Sequence, residues 1–136
     1  MKNHFKVSVL GASGRMGSQI IKRVNESPNI DLHCVVEHKG HNWIGQDCGE
    51  KLLGRENNII VTDDLNLAVS SADAVIDFST PDNSLDCLKI CAHTNTAHII
   101  GTTGFDSSQE NNIKGYAEKV VVVKAGNMSL GINILT

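Results

Sequence analysis

Apolar positions along this chain follow two alternating rhythms. Unbroken or nearly unbroken runs appear at FKVSVL, IDLHCVVE, IIVT, DAVIDF, AHIIG and KVVVVKA. Between them lie stretches whose apolar residues recur every three to four positions. Residues 14–26 place Met16, Ile20, Ile21 and Val24 on one stripe. The segment after Pro81 does the same with Leu85, Leu88 and Cys91 or Ala92. The first rhythm predicts strands and the second helices. DDLNLAVSSA predicts a short helix and residues 106–118 a longer one. Pro81 falls at a helix start, where its missing N–H costs nothing. Residues 38–58 hold four glycines and no clean period, which predicts a mobile loop.

Strand and helix thus alternate, the mark of βαβ units and a parallel sheet. Runs such as VVVV and AVIDF suit strands buried on both faces. Right-handed crossovers make the predicted fold class α/β, a doubly wound parallel sheet. Near the other end, NMSLGINILT opens like a helix, with Ser129 as its N-cap, and stops within about two turns. The expected organisation is therefore one domain over residues 1–128. Residues 129–136 would begin a helix leading into a second domain.

Bulk properties narrow the classes. The chain has 136 residues, enough for one core. Its net charge of −3 comes without a basic patch, which argues against a nucleic-acid partner. No apolar stretch reaches the length of a membrane span. The N-terminus runs straight into the first strand pattern without the apolar core of a secretory signal, so a cytoplasmic location is expected. Four cysteines, Cys34, Cys48, Cys87 and Cys91, then read as free thiols. Cys87 and Cys91 lie one helical turn apart, which predicts core packing. His38, His41 and Cys48 share one loop, but their spacing matches no strong zinc pattern, and no metal is expected.

The chemistry concentrates where the first strand hands over to the first helix. GASGRMG places Gly11, Gly14 and Gly17 three apart. In a strand–turn–helix setting the first glycine permits the tight turn. The second lets backbone approach a pyrophosphate, and the third lets the helix pack closely on the strand. The helix N-terminus adds free N–H groups and a positive dipole end. Glu37 follows Gly17 by twenty residues, at the end of the second strand, where an acid meets ribose hydroxyls. DFSTPDN and GTTGF follow later strands and point to the same crevice beyond the carboxyl ends. There Thr102 and Thr103 can offer hydroxyls and amides to a nicotinamide ribose or a substrate. His93 and His98 are expected at the opposite end of the sheet.

Taken together, GASGRMG, DFSTPDN, IIGTTGF and AGNMSLGIN resemble the N-terminal domain of the dihydrodipicolinate reductases, over Val7 to Leu135. The resemblance implies a Rossmann-type domain that binds NADH or NADPH. It implies cofactor contacts at Gly11, Ala12, Ser13, Gly14, Arg15 and Met16. Others fall at Glu37 and His38, at Gly101, Thr102 and Thr103, and at Ala125, Gly126, Asn127 and Met128. Thr103 and Gly104 would face the substrate, a small dicarboxylate. In that family the catalytic groups and the tetramer contacts lie in a second, α+β domain, which is expected to be absent from residues 1–136. The implied function is hydride transfer yielding tetrahydrodipicolinate and water, in lysine and diaminopimelate synthesis, by a full-length homotetramer. The chain alone would be inactive. Where the family often has Arg after the acid, His38 and Lys39 stand here, so a bidentate clamp on a 2′-phosphate is missing. The alternative is a nucleotide-sensing NAD(H)-binding module without catalysis.

Overall fold

The computed structural model describes residues 4–124. The expectations for Ala125, Gly126, Asn127 and Met128, and for a helix from Ser129, lie outside them.

Five strands, β1 (Phe5–Leu10), β2 (Ile30–Val36), β3 (Ala74–Asp77), β4 (Ala97–Ile100) and β5 (Val122–Lys124), form one sheet in the order β2-β1-β3-β4-β5. Every pairing is parallel. The helices are α1 (Arg15–Glu26), α2 (Cys48–Leu52), α3 (Leu65–Val69), α4 (Pro81–Thr94) and α5 (Ser107–Ala117). This is the predicted doubly wound sheet. Between β1 and β3 the order reverses direction, which creates the switch point where such sheets bind ligands.

The central apolar runs are buried on both sides, as their lack of alternation requires, but the run VVVV is not: it ends at the sheet edge, where Val121 is 64% exposed and Val122 and Val123 of β5 are half-buried. Val7, Val9 and Leu10 of β1 and all four residues of β3 are buried. On one face, Ile20, Ile21 and Val24 of α1 pack against Val7, Val9, Ala74, Ile76 and Ile99. Burial of each such side chain contributes about 1.5–3 kcal/mol. On the other face, Ala68 and Val69 of α3 and Cys87 and Cys91 of α4 cover Leu10, Val36 and Val75. Leu88 of α4 and Ile113 of α5 meet over Ile100. The cysteine pair is core, as expected, with its sulfurs 3.9 Å apart.

Pro81 does open α4, with the Thr80 hydroxyl capping it. Two further expectations need correction. IIVT makes no strand, only isolated bridges from Thr62 to Val36 and from Ile60 to Asp47. The segment 38–58 is also organised rather than a featureless loop. Asp47 caps α2 through the Glu50 amide and also accepts from the Asn57 and Asn58 amides. Those bonds hold its carboxyl below the usual range even though partial desolvation opposes ionisation. A side-chain hub of this kind leaves no hydrophobic period to read.

Candidate functional site

Strand register sets the site. Leu10 pairs with Val36 and with Asp77, and Asp77 pairs with Ile100, so four strands end at one level. The next residue of each turn is fastened to its neighbour. The Gly11 amide donates to the Val36 carbonyl, Phe78 to Leu10, and Gly101 to Asp77, at 2.8–3.0 Å. The turns after β1, β2, β3 and β4 therefore crowd together. A cleft of about 200 Å³ opens between the first three, floored by Gly11, Gly14 and Phe78 and walled by Glu37, Ser79 and Thr80.

The three glycines have three distinct jobs. Gly11 has φ +82°, and a Cβ there would lie 2.4 Å from the Phe78 carbonyl oxygen. A Cβ at Gly17 would lie 2.1 Å from the Gly11 carbonyl oxygen. Both positions are closed to side chains by the protein's own backbone. Gly14 is different. Its φ of −71° and ψ of 163° suit any residue, and a Cβ would meet only the Gly11 oxygen, at 3.4 Å. Its missing side chain leaves open space at the cleft. Gly14 is also the N-cap of α1, which has no side-chain cap, whereas the other four helices among the described residues start on Asp47, Asp64, Thr80 and Asp106. The first-turn N–H groups of α1 thus remain available to an external acceptor. No Lys or Arg is among the described residues lining the cleft. An anion there would be met by main-chain amides.

Glu37 is buried, and its carboxylate accepts the Ser13 amide at 2.5 Å. It stands at the β2 side of the cleft, where the twenty-residue spacing put it. His38 beside it is exposed and meets His41 edge to face, at 5.1 Å between ring centroids; His41 meets Trp43 likewise at 5.6 Å. The ligand atoms of Glu37, His38 and His41 lie within 4.8 Å of one another, whereas Cys48 is not among them. It sits in the core beneath α1, so the trio His38, His41 and Cys48 is not assembled. Of the other expected contacts, Ala12 is buried and offers only backbone, while Arg15 and Met16 are exposed at the start of α1.

At the far side of the cleft the structure adds what the sequence did not yield. Asp77 and His98, both fully buried, face each other with His98 Nε2 2.8 Å from the Asp77 Oδ2. His98 was expected at the opposite end of the sheet. It lies inside β4, and its ring reaches the carboxyl end of β3. Its Nδ1 has no partner among the described residues, which assigns the proton to Nε2, donating to the carboxylate. The Ser79 amide and hydroxyl also donate to Asp77 Oδ1, at 2.9 and 2.6 Å. Burial disfavours the ionised form of Asp77. The bonds from His98 and Ser79 outweigh it and hold the carboxyl below the usual range. Thr102 is buried with its hydroxyl turned inward, donating to Asp77 at 3.3 Å and accepting from Ser84 at 2.9 Å. Thr103 and Gly104 are exposed beside it. One signal for this pair was present in the sequence. An Asp at the end of an otherwise apolar run needs a buried partner.

A family model described as dihydrodipicolinate reductase, N-terminus, matches residues 5–128. The 4-hydroxy-tetrahydrodipicolinate reductase of Ruegeria sp. (strain TM1040) is 43% identical over 129 residues, which cover 95% of this chain and 48% of the relative. That of Ralstonia pickettii (strain 12J) is 43% identical over 128 residues, with 94% and 48% covered. The chain spans about half the length of the curated relatives it matches. Among solved structures, a dipicolinate-bound dihydrodipicolinate reductase from Paenisporosarcina sp. TG-14 superposes with a TM-score of 0.65 at 23% identity, over 85% of this chain and 43% of that one. The aspartate semialdehyde dehydrogenase of Candida albicans, solved with NADP, gives 0.62 at 15% identity, over 93% and 43%. Both share the fold.

Proposed function

The chain belongs to the dihydrodipicolinate reductase family, matching its N-terminal part, and from that premise we propose that it is the NAD(P)H-binding domain of a 4-hydroxy-tetrahydrodipicolinate reductase. The observation that carries the reading is Gly14. It is the one glycine of the triplet whose side chain the protein itself does not exclude, and the space left there opens on the uncapped start of α1. That is a cradle for a pyrophosphate bound by backbone.

The remaining residues suit the two halves of a dinucleotide. The Glu37 carboxylate, held on the Ser13 amide, accepts hydrogen bonds from the adenosine ribose. The turns at Ser79–Thr80 and Gly101–Thr103 take the nicotinamide half across the switch point. The bound cofactor supplies hydride for reduction of the unsaturated intermediate derived from a small dicarboxylate. The protein's own part is to bind, orient and exclude water. Ala125, Gly126, Asn127 and Met128 would complete the nicotinamide side, with Thr103 and Gly104 toward substrate. A buried carboxylate at the ribose favours NADH, while Lys39 offers a point charge, without a planar fork, to a 2′-phosphate. Residues 1–128 form the cofactor domain in this reading, and residues 129–136 lead toward the substrate and tetramer domain of the relatives. The setting in this reading is biosynthetic and cytoplasmic; among the described residues no helix is long and apolar enough to cross a membrane.

The test is calorimetric titration of the purified chain with NADH and NADPH, beside a thermal-shift series. One site per chain is expected, with no turnover of substrate by this chain alone. Absence of both heat and thermal shift at millimolar cofactor overturns the reading.

A further inference from the structure

The pair Asp77–His98 has no role in the site as proposed so far. We propose that Asp77, oriented by His98, is the positioning residue for the nicotinamide half of the cofactor: its carboxylate ties the turns after β3 and β4 into one unit. The inference rests on the cofactor reading above.

Three observations carry it. First, one carboxylate serves two separate turns. Its bonds to Ser79 are local, two residues along the chain. Its bond from Thr102 spans 25 residues, and the Asp77 carbonyl takes the Gly101 amide as well. Ser84 of α4 joins through the Thr102 hydroxyl. A plain turn cap needs only the first set. Second, the carboxylate is itself held from below. His98 rises from the middle of β4 and donates to the oxygen that the turns leave over. Nδ1, without a partner among the described residues, fixes this tautomer, because the other would bury an N–H with no acceptor there. Third, the unit stands on one side of the switch point only. Glu37 and the glycine turn lie toward β2 and β1, and the tied turns lie over β3 and β4. Along an extended dinucleotide the two halves therefore meet different supports.

Asp77→Asn separates these supports. The amide keeps the size and can still accept from Ser79. It must then point its NH₂ at His98 Nε2–H, donor against donor, or drive the imidazole to the tautomer with an orphaned N–H. The readout compares NADH with ADP-ribose, which has the same adenosine and pyrophosphate but no nicotinamide. Affinity for both is measured by titration on the purified chain, together with the fluorescence of bound nicotinamide. The expected result is an NADH affinity lowered about tenfold and a changed nicotinamide fluorescence, with ADP-ribose affinity kept within about twofold. Thr102→Val, which removes one hydroxyl and keeps the shape, should give the same split at smaller size, and it stands in if Asp77→Asn does not fold. Equal loss for both ligands means that the pair only supports the fold, and no loss for either means that the tie is idle. Each overturns the proposal. A wild-type chain that binds ADP-ribose and NADH equally well, with no nicotinamide signal, also overturns it while leaving the cofactor cradle standing. A wild-type chain that binds neither fails at the earlier reading and takes this one with it.

Discussion

Replacing Gly14 by valine tests the cofactor cradle most directly, because the structure separates its cost to folding from its cost to binding. Gly14 has extended backbone angles open to all residues, and its nearest neighbour to an added Cβ is one oxygen at 3.4 Å. Valine is a poorer N-cap than glycine, a loss of up to about 1 kcal/mol. Part of this is offset by the reduced freedom of the unfolded chain, about 0.4–1 kcal/mol. The net change in melting temperature should stay within about 4 °C for a domain of this size. Binding is another matter. A side chain over the α1 terminus keeps phosphate from the first-turn amides. Each charge-assisted bond lost there costs about 1.5–3 kcal/mol. Two lost bonds amount to at least about 3 kcal/mol, a hundredfold or more in NADH affinity. Gly17→Ala is the control with the opposite outcome. Its Cβ would fall 2.1 Å from a backbone oxygen, so the helix must lift off the sheet and the melting point must drop well beyond that of Gly14→Val. Scanning fluorimetry and calorimetric titration on the two variants decide it. A folded Gly14→Val chain that binds NADH like wild type refutes the cradle, and a Gly14→Val chain as unstable as Gly17→Ala refutes the reading of its surroundings.

Two other outcomes follow from charges and thiols. Glu37→Ala should weaken NADH more than NADPH, since the lost carboxylate accepted ribose hydroxyls but repelled a 2′-phosphate. Competitive titration measures the ratio, and equal losses would show that Glu37 does not face the 2′ position. Burial, helped by the neighbouring Asp47 charge, pushes the Cys48 thiol up to about 11 from an ordinary 9.0. Its proton is thus held more tightly in the folded chain than in the unfolded one. The resulting stability is complete below pH 9 and is lost as pH rises toward 11. Melting temperatures across that window should fall less steeply in Cys48→Ala than in wild type, and parallel slopes would contradict this.

Sequence alone carried the sheet a long way, for a physical reason. Strands buried on both faces must be almost continuously apolar, so VSVL and AVID, each with a single polar residue, could be read without partners. Glycines forced by main-chain contact were equally legible, since Gly11 and Gly17 announce backbone approaching backbone. What escaped notice was held by polar side chains acting over distance. Asp47 organises the segment around α2 through three amides, and no periodicity marks such a hub. IIVT has strand composition but forms only two isolated bridges, at Ile60 and Thr62. His98 looked like a polar residue at a strand's beginning. Its role depended on Asp77 standing one strand away, and only the parallel register of β3 and β4 brings the two together.

The contact of Gly11 with Phe78 makes the floor of the cleft a surface of main chain against main chain. Side chains come and go under mutation, but such a floor is the same atoms in every variant that folds. A complete substitution map of the chain should therefore show a sharp contrast within one turn of structure. Positions 11 and 17 should accept almost nothing, because any replacement displaces the backbone itself. Ser13, Arg15 and Met16, whose side chains are exposed, should accept a broad range of residues without loss of the fold. The cleft can then be retuned for a different ligand at its rim while its base is inherited unchanged.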